Sequence, residues 1–263
     1  MKKFINVLLS LILALSLLVF TACDENTGNI FEADYKEASV AELATLVNSV
    51  DASTNGDEVN FNDGVKLVLN ANIMGTTIQM DLKTQKTEDD LLMEGSVLTA
   101  ATYATYTNEI QGKVYYKGGY LYTDSSSSVK LDDQVISQEF SKTKQAYTLD
   151  EYLEVFTELS IIELDIEEML DQFEETENVK YYVAKTNTKT NVKIEITNFS
   201  EDGTTVNGSV VFVFDANYKL IGYMMDATIS ATYFGETETY NTYMSFEPWS
   251  GTVNIPSDLS DYN

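Results

Sequence analysis

From Val65 onward, apolar and polar residues alternate along most of the chain. Val65, Leu67, Leu69, Ala71 and Ile73 alternate with Lys66, Val68, Asn70 and Asn72, and Ile78, Met80 and Leu82 alternate with Gln79, Asp81 and Lys83. A period of two marks a strand with one buried and one wet face, so a hairpin turning at Met74-Gly75 is predicted. Further strands are predicted from Met93 to Thr107 and from Lys113 to Thr123, where Gly118-Gly119 suits a two-residue turn with positive φ. Later ones run from Val179 to Lys185, Val192 to Phe199, Ser209 to Phe214, Leu220 to Tyr233 and Thr239 to Phe246. Polar or glycine turns separate them at Glu201-Asp202-Gly203, Asp215-Ala216-Asn217 and Gly235. Roughly ten antiparallel strands result.

The pattern changes to helical spacing in two places. Ser39 and Glu42 have the spacing of a capping box ahead of Leu43, Leu46 and Val47, which predicts a short helix before the strands. Thr148 to Glu151 and Ser160 to Glu163 repeat that spacing mid-chain. Behind them lie the stripes Tyr152, Val155, Phe156, Leu159 and Ile166, Met169, Leu170, Phe173, which predict two amphipathic helices. An order of helix, strands, helix pair, strands leads to an α+β expectation. It is a large curved antiparallel β-sheet, a half-barrel, with short helices covering its concave face. Only two prolines occur, Pro248 and Pro256, and no linker divides the middle, so residues 39–263 are expected to form a single domain.

The first 23 residues follow a different logic. Lys2 and Lys3 precede an apolar run from Ile5 to Phe20, and Thr21-Ala22-Cys23 ends it with the only cysteine of the chain. The run is short, and Asp24-Glu25-Asn26 follow at once, which fits a secretory signal over residues 1–22 better than a membrane span. Phe20-Thr21-Ala22-Cys23 resembles a bacterial lipobox, with Phe20 where leucine usually stands. The resemblance implies that Cys23 is diacylated, becomes the mature N-terminus and anchors the protein to the extracytoplasmic face of the cell membrane. Residues 23–38 then read as the lipidated cysteine and a flexible tether. About 15 residues of coil span roughly 20 Å, beyond the ~8 Å Debye length.

Composition narrows the chemistry. All 16 basic residues are lysine, histidine is absent, and the net charge is −26. Without histidine or arginine the chain lacks the commonest general base, the commonest metal ligand and the bidentate fork for phosphate. With Cys23 acylated no thiol remains for a disulfide, a nucleophile or a metal, and the acidic body repels nucleic acid. No cofactor, no metal and no catalytic residue is expected. The region from Asp150 to Glu177 carries 12 carboxylates and no lysine, but it lacks EF-hand spacing and reads as the solvated faces of the mid-chain helices. The 17 tyrosines are read as strand and rim packing before sugar-stacking platforms.

The layout of lipobox, tether and β-rich body is accompanied by three short motifs. They are Val114-Tyr115-Tyr116-Lys117-Gly118-Gly119-Tyr120-Leu121-Tyr122, Phe214-Asp215-Ala216-Asn217-Tyr218-Lys219-Leu220 and Ile255-Pro256. Together they resemble the LolA/LppX-like lipoproteins. That resemblance implies a half-barrel enclosing a cavity for acyl chains, and it carries no ligand motif across to these residues. The expected function is that of a membrane-anchored, non-catalytic lipoprotein binding a hydrophobic ligand, an acyl chain or lipid, at the cell envelope. Tyr152, Phe156, Leu159, Met169 and Phe173 are the candidate ligand-binding residues. The alternative is an envelope interaction module for a protein or polysaccharide partner, with a solid core and no lipid cavity. A hydrolase built on carboxylates alone has no supporting motif.

Overall fold

The computed structural model describes residues 29–51, 64–73, 75–87, 91–146, 177–201, 203–233 and 236–263. Contacts divide the chain into two compact units. The described part of the first comprises residues 29–51 and 177–247, and that of the second residues 64–146 and 248–263.

In the first unit, β1 (Lys36–Ala38) leads into helix α1 (Val40–Asp51). After it come β8 (Val179–Lys185), β9 (Lys189–Glu201), β10 (Thr204–Asp215), β11 (Leu220–Tyr233) and β12 (Glu236–Pro248). The strands lie in the order β1-β8-β9-β10-β11-β12, each antiparallel to its neighbour. Alternation accounts for one face, where Phe212 stacks near Phe214 (centroids 6.4 Å apart) and packs on Tyr223 at 5.4 Å. Burial of Tyr223 pushes its hydroxyl well above the ordinary tyrosine range. Yet Val210 to Phe214 are all buried, so β10 is covered on both sides. The second cover is the chain before β1: Phe31 packs against Val211 and Val213, with Ile30, Tyr35, Ile221 and Met224 around them. Residues 29–38, expected to be tether, are therefore docked onto the sheet.

The second unit is a meander of β2 (Val65–Ile73), β3 (Thr76–Lys86), β4 (Leu91–Tyr103), β5 (Tyr106–Lys117), β6 (Tyr120–Leu131) and β7 (Gln134–Ala146). Register places Leu67, Leu82, Gly95 and Val114 in one row, and Lys83, Glu94, Tyr115, Tyr122 and Lys144 in a row on the opposite face. The first row belongs to the apolar face predicted by alternation. Part of the other face is covered by the segment after β12, whose Tyr262, Ile255 and Leu259 pack on Tyr115 and Tyr122.

These findings correct the α+β half-barrel. The described chain is almost wholly antiparallel strand, with α1 the one helix among the described residues. The 12 residues of β6 and the 13 of β7 take strand through Ala146, beyond the Thr123 at which the predicted strand ended. In each unit an extended segment, the one before β1 or the one after β12, covers part of the face opposite the alternating apolar row. The expected helix pair, with Tyr152, Phe156, Leu159, Met169 and Phe173, lies outside the described residues, as do the apolar run and Cys23.

Candidate functional site

A concavity of the first unit is built by the segment that precedes β1. Asn29 starts it: its Oδ1 accepts the Phe31 N–H at 3.0 Å, and its backbone oxygen accepts the Glu32 N–H at 3.2 Å. This local turn drives Phe31 into the sheet, where it is buried. Tyr35 closes the loop by donating its hydroxyl to the Phe31 backbone oxygen at 2.7 Å. From β9, Lys189 Nζ and Asn191 Nδ2 both donate to the Ile30 backbone oxygen, at 2.7 and 2.8 Å. Burial raises the Tyr35 hydroxyl pKa, opposed by its hydrogen bond with Asn191 and by the charge of Lys193. Close approach is possible because Gly222 has no side chain: a Cβ there would lie 2.5 Å from Ile30 Cδ1.

Having been fixed in this way, the chain pairs with β8, with Lys36 opposite Val183 and Ala38 opposite Tyr181. Ser39 then caps α1. Its backbone N–H and hydroxyl donate to Glu42 Oε2 at 2.8 and 3.0 Å, and its Oγ accepts the Glu42 N–H at 3.3 Å, so the capping box expected from sequence is present. The two bonds from Ser39 hold the exposed Glu42 carboxyl below the usual carboxylate range.

Between this segment, the start of α1 and the β8–β9 turn lies an open groove of about 640 Å³. Glu32, Asp34, Glu37 and Glu42 line it together with Lys36 and Lys185. Its far rim is a tight turn in which Thr186 Oγ1 accepts the backbone N–H groups of Thr188 (3.3 Å) and Lys189 (3.1 Å). Ala33, Ala38, Leu46, Val183 and Ala184 supply the apolar part of its wall, so the groove, open to water and rimmed by charges, suits an extended partner with both polar and apolar groups. Sequence reasoning missed it. The only local signal was the pair Ile30-Phe31 and the lone Tyr35 in a stretch otherwise polar.

In the second unit Tyr115, Tyr122 and Tyr262 pack on one another, whereas Tyr103 and Tyr106 are exposed. Tyr262 meets Tyr122 edge to face, with centroids 5.6 Å apart at 88°, and Lys142 Nζ lies 5.2 Å from the Tyr262 ring. The same segment donates backbone N–H groups from Val253 to Gln85 Oε1 (3.1 Å) and from Asn254 to Glu94 Oε2 (2.8 Å). On β3, Asp81 is buried with Lys66 Nζ 3.9 Å away. Desolvation raises its pKa against the opposing charges of Lys83 and Lys66. Among the described residues no three carboxylates gather into a set that could hold a metal ion. The five predicted ligand residues, Tyr152, Phe156, Leu159, Met169 and Phe173, lie outside the described residues.

No family model matches the chain, and no curated protein matches it. A solved structure titled an N-terminal dehydratase from the difficidin assembly line aligns over 85% of this chain and 90% of its own, at 9% identity. Its TM-score of 0.16 is too low for that likeness to carry any argument about fold or activity.

Proposed function

We propose that this protein is a membrane-anchored, non-catalytic lipoprotein of the cell envelope, acting as an interaction module through the open face of its first unit. The anchor rests on Cys23 at the end of the apolar run, and the non-catalytic reading on a chain without histidine or arginine. The observation that carries the choice of an interaction module is the groove built by the segment before β1. Phe31 pins that segment on Val211 and Val213, on the face opposite Phe212 and Phe214, and its capped continuation into α1 sets charged side chains along the groove. The charged groove bounded by Glu37, Glu42 and Lys185 is the surface offered to a protein or polysaccharide.

Binding of an acyl chain or lipid is the second reading. It is supported by the apolar stripe of Tyr152, Phe156, Leu159, Met169 and Phe173. Mass spectrometry of lipids extracted from protein purified out of its native membrane separates the two. The interaction module predicts no lipid beyond the chains on Cys23, whereas an equimolar co-purifying lipid would restore the hydrophobic-ligand reading.

A further inference from the structure

We propose that β7 is the edge at which two copies of this chain pair, strand to antiparallel strand, about a two-fold axis. Every residue from Gln134 to Ala146 is exposed, and Val135, Ile136 and Phe140 are 54, 56 and 78% exposed. Edge strands that stay unpaired are usually short, carry lysine, proline or inward charge, or twist away at a bulge; in β7 the lysines are confined to Lys142 and Lys144 and the bulge to its start. β7 has 13 residues, no proline, and from Gln134 to Ser141 a single charge, Glu139. Its one irregularity is a bulge opposite Val129 and Lys130, which leaves Ser137 to Ala146 in unbroken register with β6.

The free backbone groups can be assigned. Lys144 lies opposite Tyr122 of β6, yet its N–H donates to the Asn263 backbone oxygen at 2.9 Å, so this N–H points away from β6. Groups alternate along an antiparallel ladder, so those of Lys142, Phe140 and Gln138 point outward as well. Asn263 closes the edge at Lys144. The outward groups at Gln138, Phe140 and Lys142 remain open to a second strand.

Charge selects a second copy as the occupant. The chain carries −26, so two copies repel over most of their surface, but β7 has two lysines and one glutamate. Antiparallel pairing lays the Glu139 half of one strand along the Lys142-Lys144 half of the other. In the register that sets Phe140 against its own copy, Gln138 faces Lys142, Glu139 faces Ser141 and Ser137 faces Thr143. No like charges then meet directly, and outward groups meet outward groups. The contact is self-complementary, as a closed two-fold requires.

Sedimentation equilibrium of the full chain in a non-ionic detergent tests this. Wild type should form a concentration-dependent dimer that tightens as salt rises from about 0.05 to about 0.5 M, because screening relieves body repulsion. Phe140→Pro removes an N–H that β6 does not use, so the fold should persist while dimerisation weakens by about tenfold or more. Should that variant fail to fold, Phe140→Lys, which sets like charges face to face, must weaken the dimer similarly. A monomer at all concentrations, a dimer indifferent to both variants, or one that loosens with salt would overturn the proposal. So would binding of an added acidic peptide to the β7 edge of a monomeric wild type.

Discussion

The side-chain amide of Asn191, fully buried in β9, donates to the backbone oxygen of Ile30 at 2.8 Å and thereby fixes the chain that walls the groove. Lys189 shares that acceptor, so the oxygen keeps one partner if the amide is lost. Asn191→Ala should therefore cost about 1 to 3 kcal/mol, the range for one buried bond and its desolvated partner. Urea unfolding measures the cost, and limited proteolysis should show faster cutting within residues 29–38. Unchanged stability and cutting would mean that Phe31 alone holds the segment.

Asp81 gives a pH dependence whose sign can be stated. Burial raises its folded-state pKa above the ordinary value, so the folded state binds more protons than the unfolded chain between the two values. Its destabilising effect is complete above the raised value, shrinks as pH falls through that window, and vanishes below about 3.9. Asp81→Asn should accordingly raise the thermal midpoint at pH 7 and flatten the dependence just above pH 4. A lower midpoint at pH 7 would show that attraction to Lys66 and Lys83 outweighs desolvation.

Tyr262 is the C-terminal counterpart of Phe31. It is buried against Tyr115 and Tyr122, and its backbone neighbour Asn263 accepts from Lys144. Tyr262→Ala should cost about 3 kcal/mol in urea unfolding, by the scale of large-to-small changes in a core. It should also make Tyr115 and Tyr122 accessible to an aqueous quencher. Loss of stability without new quenching would mean that another residue closes over the pair.

How much of this was legible depended on whether a residue's partner was near in sequence. The β2–β3 hairpin was readable because Leu67, Leu69, Ile78 and Met80 repeat at period two on a face that is buried. The Gly118-Gly119 turn was readable because both residues adopt positive φ, 59° and 76°, where glycine is favoured. The end of β6 and all of β7 were missed because Ser125 to Ser128 and the exposed β7 carry no alternation for a buried face to impose. Their turn at Asp132-Asp133 uses positive φ of 47° and 63° without glycine. Ala104, at φ 55°, likewise hid a turn inside what had been read as one strand to Thr107. The groove was illegible for another reason: Ile30 meets Asn191 from 161 positions away, and no local period records such a contact.

Attachment of this envelope module to the membrane through Cys23 is tested most directly by the mass of the N-terminal peptide from protein purified out of its native membrane. The predicted result is a chain that begins at Cys23 and carries a diacylglyceryl group there, together with release from the membrane when Cys23→Ser removes the acceptor thiol. A peptide retaining Met1, or an unmodified Cys23 on membrane-bound protein, would contradict it.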